Sequence, residues 1–141
     1  MEKLRKATLK YLEQQLEDYQ TINDEIARRM LVLDFPWQES DTNIGGGRGS
    51  KISKEPESIM FRHMSDTELQ TKLALKENCS KAVKIFEQDN QQYEIYKLRF
   101  LSSNYYSWRE IADIMHFSVA MIYKKRYRLL KVLADIQGIK E

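Results

Sequence analysis

Three groups of residues have types and spacings that could do chemistry. The first is Gly45-Gly46-Gly47-Arg48-Gly49-Ser50-Lys51, which invites comparison with a phosphate-cradling loop. Such a loop needs Gly-Lys-Ser/Thr opening a helix directly after a strand, so that backbone amides and one lysine converge on the phosphates. Here Ser50 separates Gly49 from Lys51 and no strand pattern precedes them. The run therefore reads as a flexible linker, in which Arg48 or the backbone is a candidate contact for an anion such as a nucleic-acid phosphate. The second group is Cys79, His63 and His116. A single cysteine forms no internal bridge, and the two histidines lie too far apart for a zinc spacing. Cys79 shares a helical face with Leu75, Ala82 and Phe86 and reads as a small core residue rather than an activated thiolate. No enzyme activity, cofactor or metal is expected from these residues. The third group is Lys124, Lys125, Arg126, Arg128 and Lys131, with no acid between Asp113 and Asp135. A merely solvated helix interleaves acids at i,i+4 spacing, so this run reads as a surface for a polyanion. If each of the five cations neutralised one phosphate, the log-log salt slope of binding would be about −4.5 per chain.

The elements that must position these residues follow from composition and periodicity. The chain has 141 residues, 42% hydrophobic and 31% charged, which is the balance of a soluble globular protein. Two prolines and five glycines, four of the latter between Gly45 and Gly49, leave the remainder free of strong helix breakers, so an all-α fold is expected. The longest apolar run, Val119 to Tyr123, is far short of the roughly 20 residues that a membrane span needs. With no secretory pattern at the charged start, no membrane association and a cytoplasmic location are expected. The formal charge of +2 hides an asymmetry: residues 1–90 hold 14 Lys and Arg against 16 Asp and Glu, and residues 91–141 hold 9 against 5. We therefore expect an N-terminal helical region over 1–90, serving oligomerisation or partner contact, and a DNA-binding region over 91–141.

In the first region, Leu9, Leu12, Leu16, Tyr19, Asn23, Ile26, Met30 and Leu33 are spaced alternately by three and four. That heptad stripe predicts one long helix over 3–33 with Asn23 at an a position, where a buried Asn fixes register. Two arrangements satisfy it: a coiled-coil homodimer through residues 9–33, or a hairpin in which the stripe packs against the next long helix of the same chain. Pro36 ends the helix, and residues 34–55 form a long connection. Pro56 between two glutamates opens a further helix, and Ser65-Asp66-Thr67-Glu68 has the form of a capping box, which predicts a break there and a second helix to about Gln88.

The second region reads as three helices. Tyr93–Leu101 turns Ile95, Leu98, Tyr96 and Leu101 inward and ends at Ser102-Ser103-Asn104. Ser107 caps the next helix, Glu110 completes its capping box, and Ile111, Ala112, Ile114 and Met115 form its apolar face. After the turn His116-Phe117-Ser118, Ser118 caps a helix running to about Ile136. Two helices joined by a turn of about three residues form the helix-turn-helix pattern. Ala112 is small enough to let them approach, Phe117 fills the angle, and Ile122, Leu129, Leu130 and Leu133 anchor the second helix. Ala120, Met121, Lys124 and Lys125 then face outward where side chains reach base edges, with the apolar pair suited to thymine methyls and the lysines to guanine. Ser118, Tyr123, Arg126, Tyr127 and Arg128 suit phosphate and sugar contacts, and Ser107, Trp108 and Arg109 at the start of the first helix are further candidates for contact with DNA. Tyr105, Tyr106 and Trp108 are candidates for stacking on single-stranded bases, though aromatics so placed more often pack into a core.

Glu94 to Phe100, Ser107 to Met115 and Phe117 to Lys125 together resemble the region-four DNA-binding domain of sigma factors. Upstream, Pro36-Trp37 followed by Asp41-Thr42-Asn43-Ile44-Gly45-Gly46-Gly47-Arg48 resembles the signature of RinA-type phage transcriptional activators. The resemblance covers about Leu4 to Ile136, and the Trp37 to Arg48 motif is its more family-specific part. It implies a DNA-binding activator of late phage operons for packaging and morphogenesis, acting in a bacterial cytoplasm on double-stranded DNA, with host RNA polymerase as a further partner. A different class with a similar layout is a packaging component such as a small terminase subunit, which joins helix-turn-helix units to oligomerising helices. Trp37 beside Pro36 reads as a packing anchor for the connection.

Overall fold

The computed structural model describes residues 3–35 and 56–140. Among these the chain is all-α: α1 (Lys6–Tyr19), α2 (Ile22–Asp34), α3 (Pro56–Ser65), α4 (Thr67–Phe86), α5 (Asn90–Tyr96) with a π-helical turn after it (Lys97–Leu101), α6 (Trp108–Met115) and α7 (Val119–Gln137). No helix of the described residues is long and apolar enough to cross a membrane. The chain divides into two compact units, one made of residues 1–21 and 75–141, the other of 22–74. The division falls between α1 and α2 and inside α4.

The larger unit is built around a continuous core. Leu9, Leu12 and Leu16 of α1 are buried together with Cys79, Ala82 and Phe86 of α4, Ile95, Tyr96 and Phe100, Ile111 and Ala112 of α6, and Ile122, Leu129, Leu130, Leu133 and Ala134 of α7. The start of the predicted seam, Leu9, Leu12 and Leu16, is thus buried within the chain, and Asn23 is exposed in the single chain. The expected single helix over 3–33 is two helices. Gln20 and Thr21 close tight turns onto Glu17 and Asp18, and the Gln20 amide donates to the Leu16 carbonyl and to the Tyr96 hydroxyl, both at 2.9 Å. These tertiary and local bonds compete with helix continuation, and a heptad count does not register them. Leu12 is fully buried. Leu12→Ala is therefore expected to cost about 2–5 kcal/mol by urea unfolding, with a midpoint independent of protein concentration. A native midpoint that rises with concentration would instead return Leu12 to a seam between copies.

Two further expectations need correction. Leu101 and Ile114 are half exposed, not inward. For Leu101 the cause is the π-helical turn, in which the Ser102 amide bonds to the Lys97 carbonyl at 2.9 Å, so that an extra residue per turn rotates the end of the face. Cys79 is the core residue expected: its thiol lies 3.7 Å from the Gln15 carbonyl, and burial, with the charge of Asp18 as a lesser cause, pushes its pKa up to about 12.

In the smaller unit α2 and α3 pack side by side, with Ile22, Ile26 and Leu69 its buried residues. The break before α4 falls where expected, but Asp66 is the cap rather than Ser65: its carboxylate accepts from the Leu69 amide at 2.8 Å, while the Ser65 hydroxyl donates back to the Phe61 carbonyl. Arg29 grips the same carboxylate through two bonds of 2.9 and 2.6 Å. The Arg29 hydrogen bonds, and next the bond from the Leu69 amide, hold the Asp66 pKa down at about 2. A depressed carboxyl contributes stability that is present above its ordinary value of 3.8 and is lost as pH falls through about 2. Following the Asp66 side-chain carbon by NMR should place its titration near that lower value in the native protein and higher in Arg29→Ala, though still below the ordinary value because the Leu69 amide bond remains. Titration near the ordinary value in both would show that the pair does not persist in solution. Leu31, Val32, Phe35, Met60, Phe61 and Met64 of this unit are exposed apolar side chains.

Candidate nucleic-acid interface

The helix pair α6–α7 is fixed by signals that are all local in sequence. The Ser107 hydroxyl accepts from the Glu110 amide at 3.2 Å and the Glu110 carboxylate accepts from the Ser107 amide at 2.8 Å, which is the expected capping box. α6 ends at His116, whose backbone is left-handed at φ 60; the Phe117 amide bonds to the Ala112 carbonyl at 2.8 Å and the His116 amide to that of Asp113. This double closure turns the chain within three residues. Ser118 then caps α7, accepting from the Met121 amide at 3.1 Å. Ala112 is fully buried and Phe117 is partly buried against the core, as their sizes suggested. Each capping serine uses its oxygen as acceptor and keeps its own hydroxyl proton available for a phosphate oxygen.

The exposed face of α7 carries most of the residues singled out from the sequence. Ala120, Met121, Tyr123, Lys124 and Arg128 are exposed, and Lys125 and Tyr127 are partly so. Ser107, Arg109 and Ser118 are exposed at the starts of the two helices. Lys125 is held in place: its ammonium donates to Gln91 at 2.9 Å and sits 5.9 Å from the centre of the Phe117 ring. Lys124 and Arg128 have no acidic partner among the described residues. Ala120, Tyr123, Lys124, Tyr127 and Arg128, with Lys3 from the start of the chain, line an open cleft of about 340 Å³.

Two residues assigned to this face belong to the interior. Trp108 is only 7% exposed, with the guanidinium carbons of Arg99 and Arg126 at 5.2 and 5.8 Å from its ring. Its indole N–H points to Glu13 at 3.3 Å, which removes it from the surface that could meet a ligand. Arg126 is also inward, its side chain 16% exposed and donating to Glu13 at 2.9 Å; Arg99 reaches the other oxygen of the same carboxylate at 2.7 Å. Burial raises the Glu13 pKa, and the hydrogen bonds and charges of Arg99 and Arg126 outweigh it and hold the carboxyl below its ordinary value. Lys131 is paired with Asp135 at 2.6 Å, and the hydrogen bond to that carboxylate raises its pKa. Of the five cations counted from the sequence, Lys124, Lys125 and Arg128 are left without an acid among the described residues, so the slope expected if each neutralised one phosphate falls from about −4.5 to about −2.7 per chain.

Sequence reasoning missed Glu13, Lys3, Gln91 and the bond of 3.1 Å from the Leu4 amide to the Tyr127 hydroxyl. Each joins residues far apart in the chain, and no spacing rule signals such a pair. The motif residues Trp37, Asp41, Thr42, Asn43, Ile44, Gly45 and Gly46, with Arg48, lie outside the described residues.

Fold and site define an all-helical protein whose C-terminal part is a capped helix pair with a cationic outer face. The chain belongs to the family described as a protein of unknown function, DUF722, which it matches over residues 8–135. No curated protein and no solved structure matches it.

Proposed function

We propose that the protein binds double-stranded DNA through α7 as a sequence-specific transcriptional activator of the RinA type, acting on late phage genes for packaging and morphogenesis in a bacterial cytoplasm. The observation that carries this reading is the outer face of α7. Ala120, Met121, Lys124 and Arg128 stand exposed within the first three turns past a helix cap, on a helix held by the shorter α6, and neither cation has an acidic partner among the described residues. In a major groove, Lys124 and Lys125 would donate to guanine, Ala120 and Met121 would meet thymine methyls, and Arg128, Tyr123, Tyr127, Ser118, Ser107 and Arg109 would bond to phosphates. No catalytic step enters this function.

Activation would recruit host RNA polymerase, and a second copy of the chain would couple two half-sites and raise specificity. The test is run-off transcription with the host polymerase on DNA from upstream of packaging genes, beside footprinting of the same fragment. Promoter-dependent stimulation with a protected site supports the reading. Binding without stimulation, by a particle whose light-scattering mass is that of a ring, would replace it with a packaging component.

A further inference from the structure

The outer face of α7 is not made by the helix pair alone. Leu4 is buried in the core of the larger unit, and its backbone amide donates to the Tyr127 hydroxyl at 3.1 Å. That bond fixes the extended segment ahead of α1 along the outer face of α7, and Lys3, the next residue outward, becomes part of the cleft lined by Ala120, Tyr123, Lys124, Tyr127 and Arg128. Three cations, Lys3, Lys124 and Arg128, therefore border one concavity, and none of them has an acidic partner among the described residues. Like charges gathered without a counter-charge repel each other, and an anion seated between them relieves that repulsion. The Tyr127 hydroxyl accepts from Leu4 and retains its proton to donate.

We propose that Lys3 and α7 together form a phosphate-binding cleft, so that the segment preceding α1 supplies a backbone contact to the duplex beyond those made by the helix pair. This inference rests on the reading of α7 as a DNA-binding helix and deepens it. Leu4 acts as a positioning residue, because it holds Lys3 in place without facing the ligand. Lys3 precedes the stretch matched to the family, residues 8–135.

The test compares native protein with Lys3→Ala and with Lys84→Ala, which removes an exposed cation on α4 outside the cleft. Each is titrated with a duplex of about 20 base pairs at several salt concentrations. Removing one phosphate contact should make the log-log salt slope shallower by about 0.9, which is roughly an eightfold loss of affinity at 0.1 M salt, equal on all sequences. Lys84→Ala should match the native protein. Native binding that Lys3→Ala leaves unchanged would overturn the inference and leave the α7 reading intact. If the native protein fails to bind any duplex, the α7 reading falls, and inorganic phosphate followed by the amide resonances of Leu4 and Lys124 decides what remains. Shifts in the native protein that are absent in Lys3→Ala would keep the cleft as a site for a free phosphate, and no shift would overturn it.

Discussion

Glu13→Ala is expected to destabilise the protein by about 3–5 kcal/mol, a loss out of proportion to an exposed ion pair. The carboxylate is 13% exposed and is shared by two guanidiniums whose side chains are themselves 21% and 16% exposed, both near the Trp108 ring. Removing it leaves Arg126 without an acidic partner among the described residues and Arg99 with only the more distant Glu17, at 4.0 Å, and Arg99 already has one buried N–H, Nε, without a partner. The cost is that of the uncompensated charges rather than the worth of the pair, so Glu13→Ala combined with Arg126→Met should recover much of the loss. Urea unfolding of the two proteins measures both effects. A loss below about 1 kcal/mol for the single substitution would mean that the cluster is solvated in solution. The pH dependence has a definite sign. Glu13 is held below its ordinary value of 4.5, so its contribution is fully present above that value and disappears as pH falls through the folded-state value. Native protein should lose stability in that acid window faster than Glu13→Gln.

The second large effect is expected at Lys124 and Arg128. They lie one helical turn apart on the outer face of α7, exposed and without acidic partners among the described residues, so alanine at either should leave the melting temperature unchanged. Their roles differ. On the proposed reading Lys124 would face base edges, and Lys124→Ala should cost about 1–3 kcal/mol of binding on the preferred site and less on others, relaxing base preference. Arg128 would face phosphate, and Arg128→Ala should weaken binding equally on every sequence and make the salt slope shallower by about 0.9. Together the two substitutions should lower affinity for the preferred site by on the order of a hundredfold. Parallel, equal losses from both would make Lys124 a phosphate contact too, and base reading would then fall to Met121, Ala120 and Lys125.

What could be read from the sequence is what depends on neighbours along the chain. The capping box at Ser107, the cap at Ser118, the small Ala120 and Ala112 and the α7 anchors Ile122, Leu129, Leu130 and Leu133 all lie within a turn or two of the features they control, and each is where it was expected. The all-α class followed from the scarcity of breakers in the same way. The failures are nonlocal. A heptad count extended α1 through Gln20 because it has no access to the Tyr96 hydroxyl that captures the Gln20 side chain. A run of cations looked unopposed because the acid that opposes Arg126 is Glu13, more than a hundred residues earlier in the chain. The outer face looked like a property of α7 alone because Leu4 and Lys3 reach it from the other end of the sequence. Trp108 drew a surface assignment from its place beside a helix cap, and two arginines that no local pattern connects to it hold it in the interior.

The most direct test of DNA binding by α7 is a titration of the native protein with duplex from upstream of the genes neighbouring its own, beside an unrelated duplex, at several salt concentrations. Saturable binding that exceeds the control by on the order of a thousandfold is expected. By the contacts proposed, the cations that meet phosphate are Arg109 and Arg128, so the salt slope per chain should be about −1.8, and about −2.7 when Lys3 takes part. Equal, salt-sensitive binding to both duplexes would reduce α7 to an electrostatic anchor, and no binding to either would contradict the DNA-binding function outright.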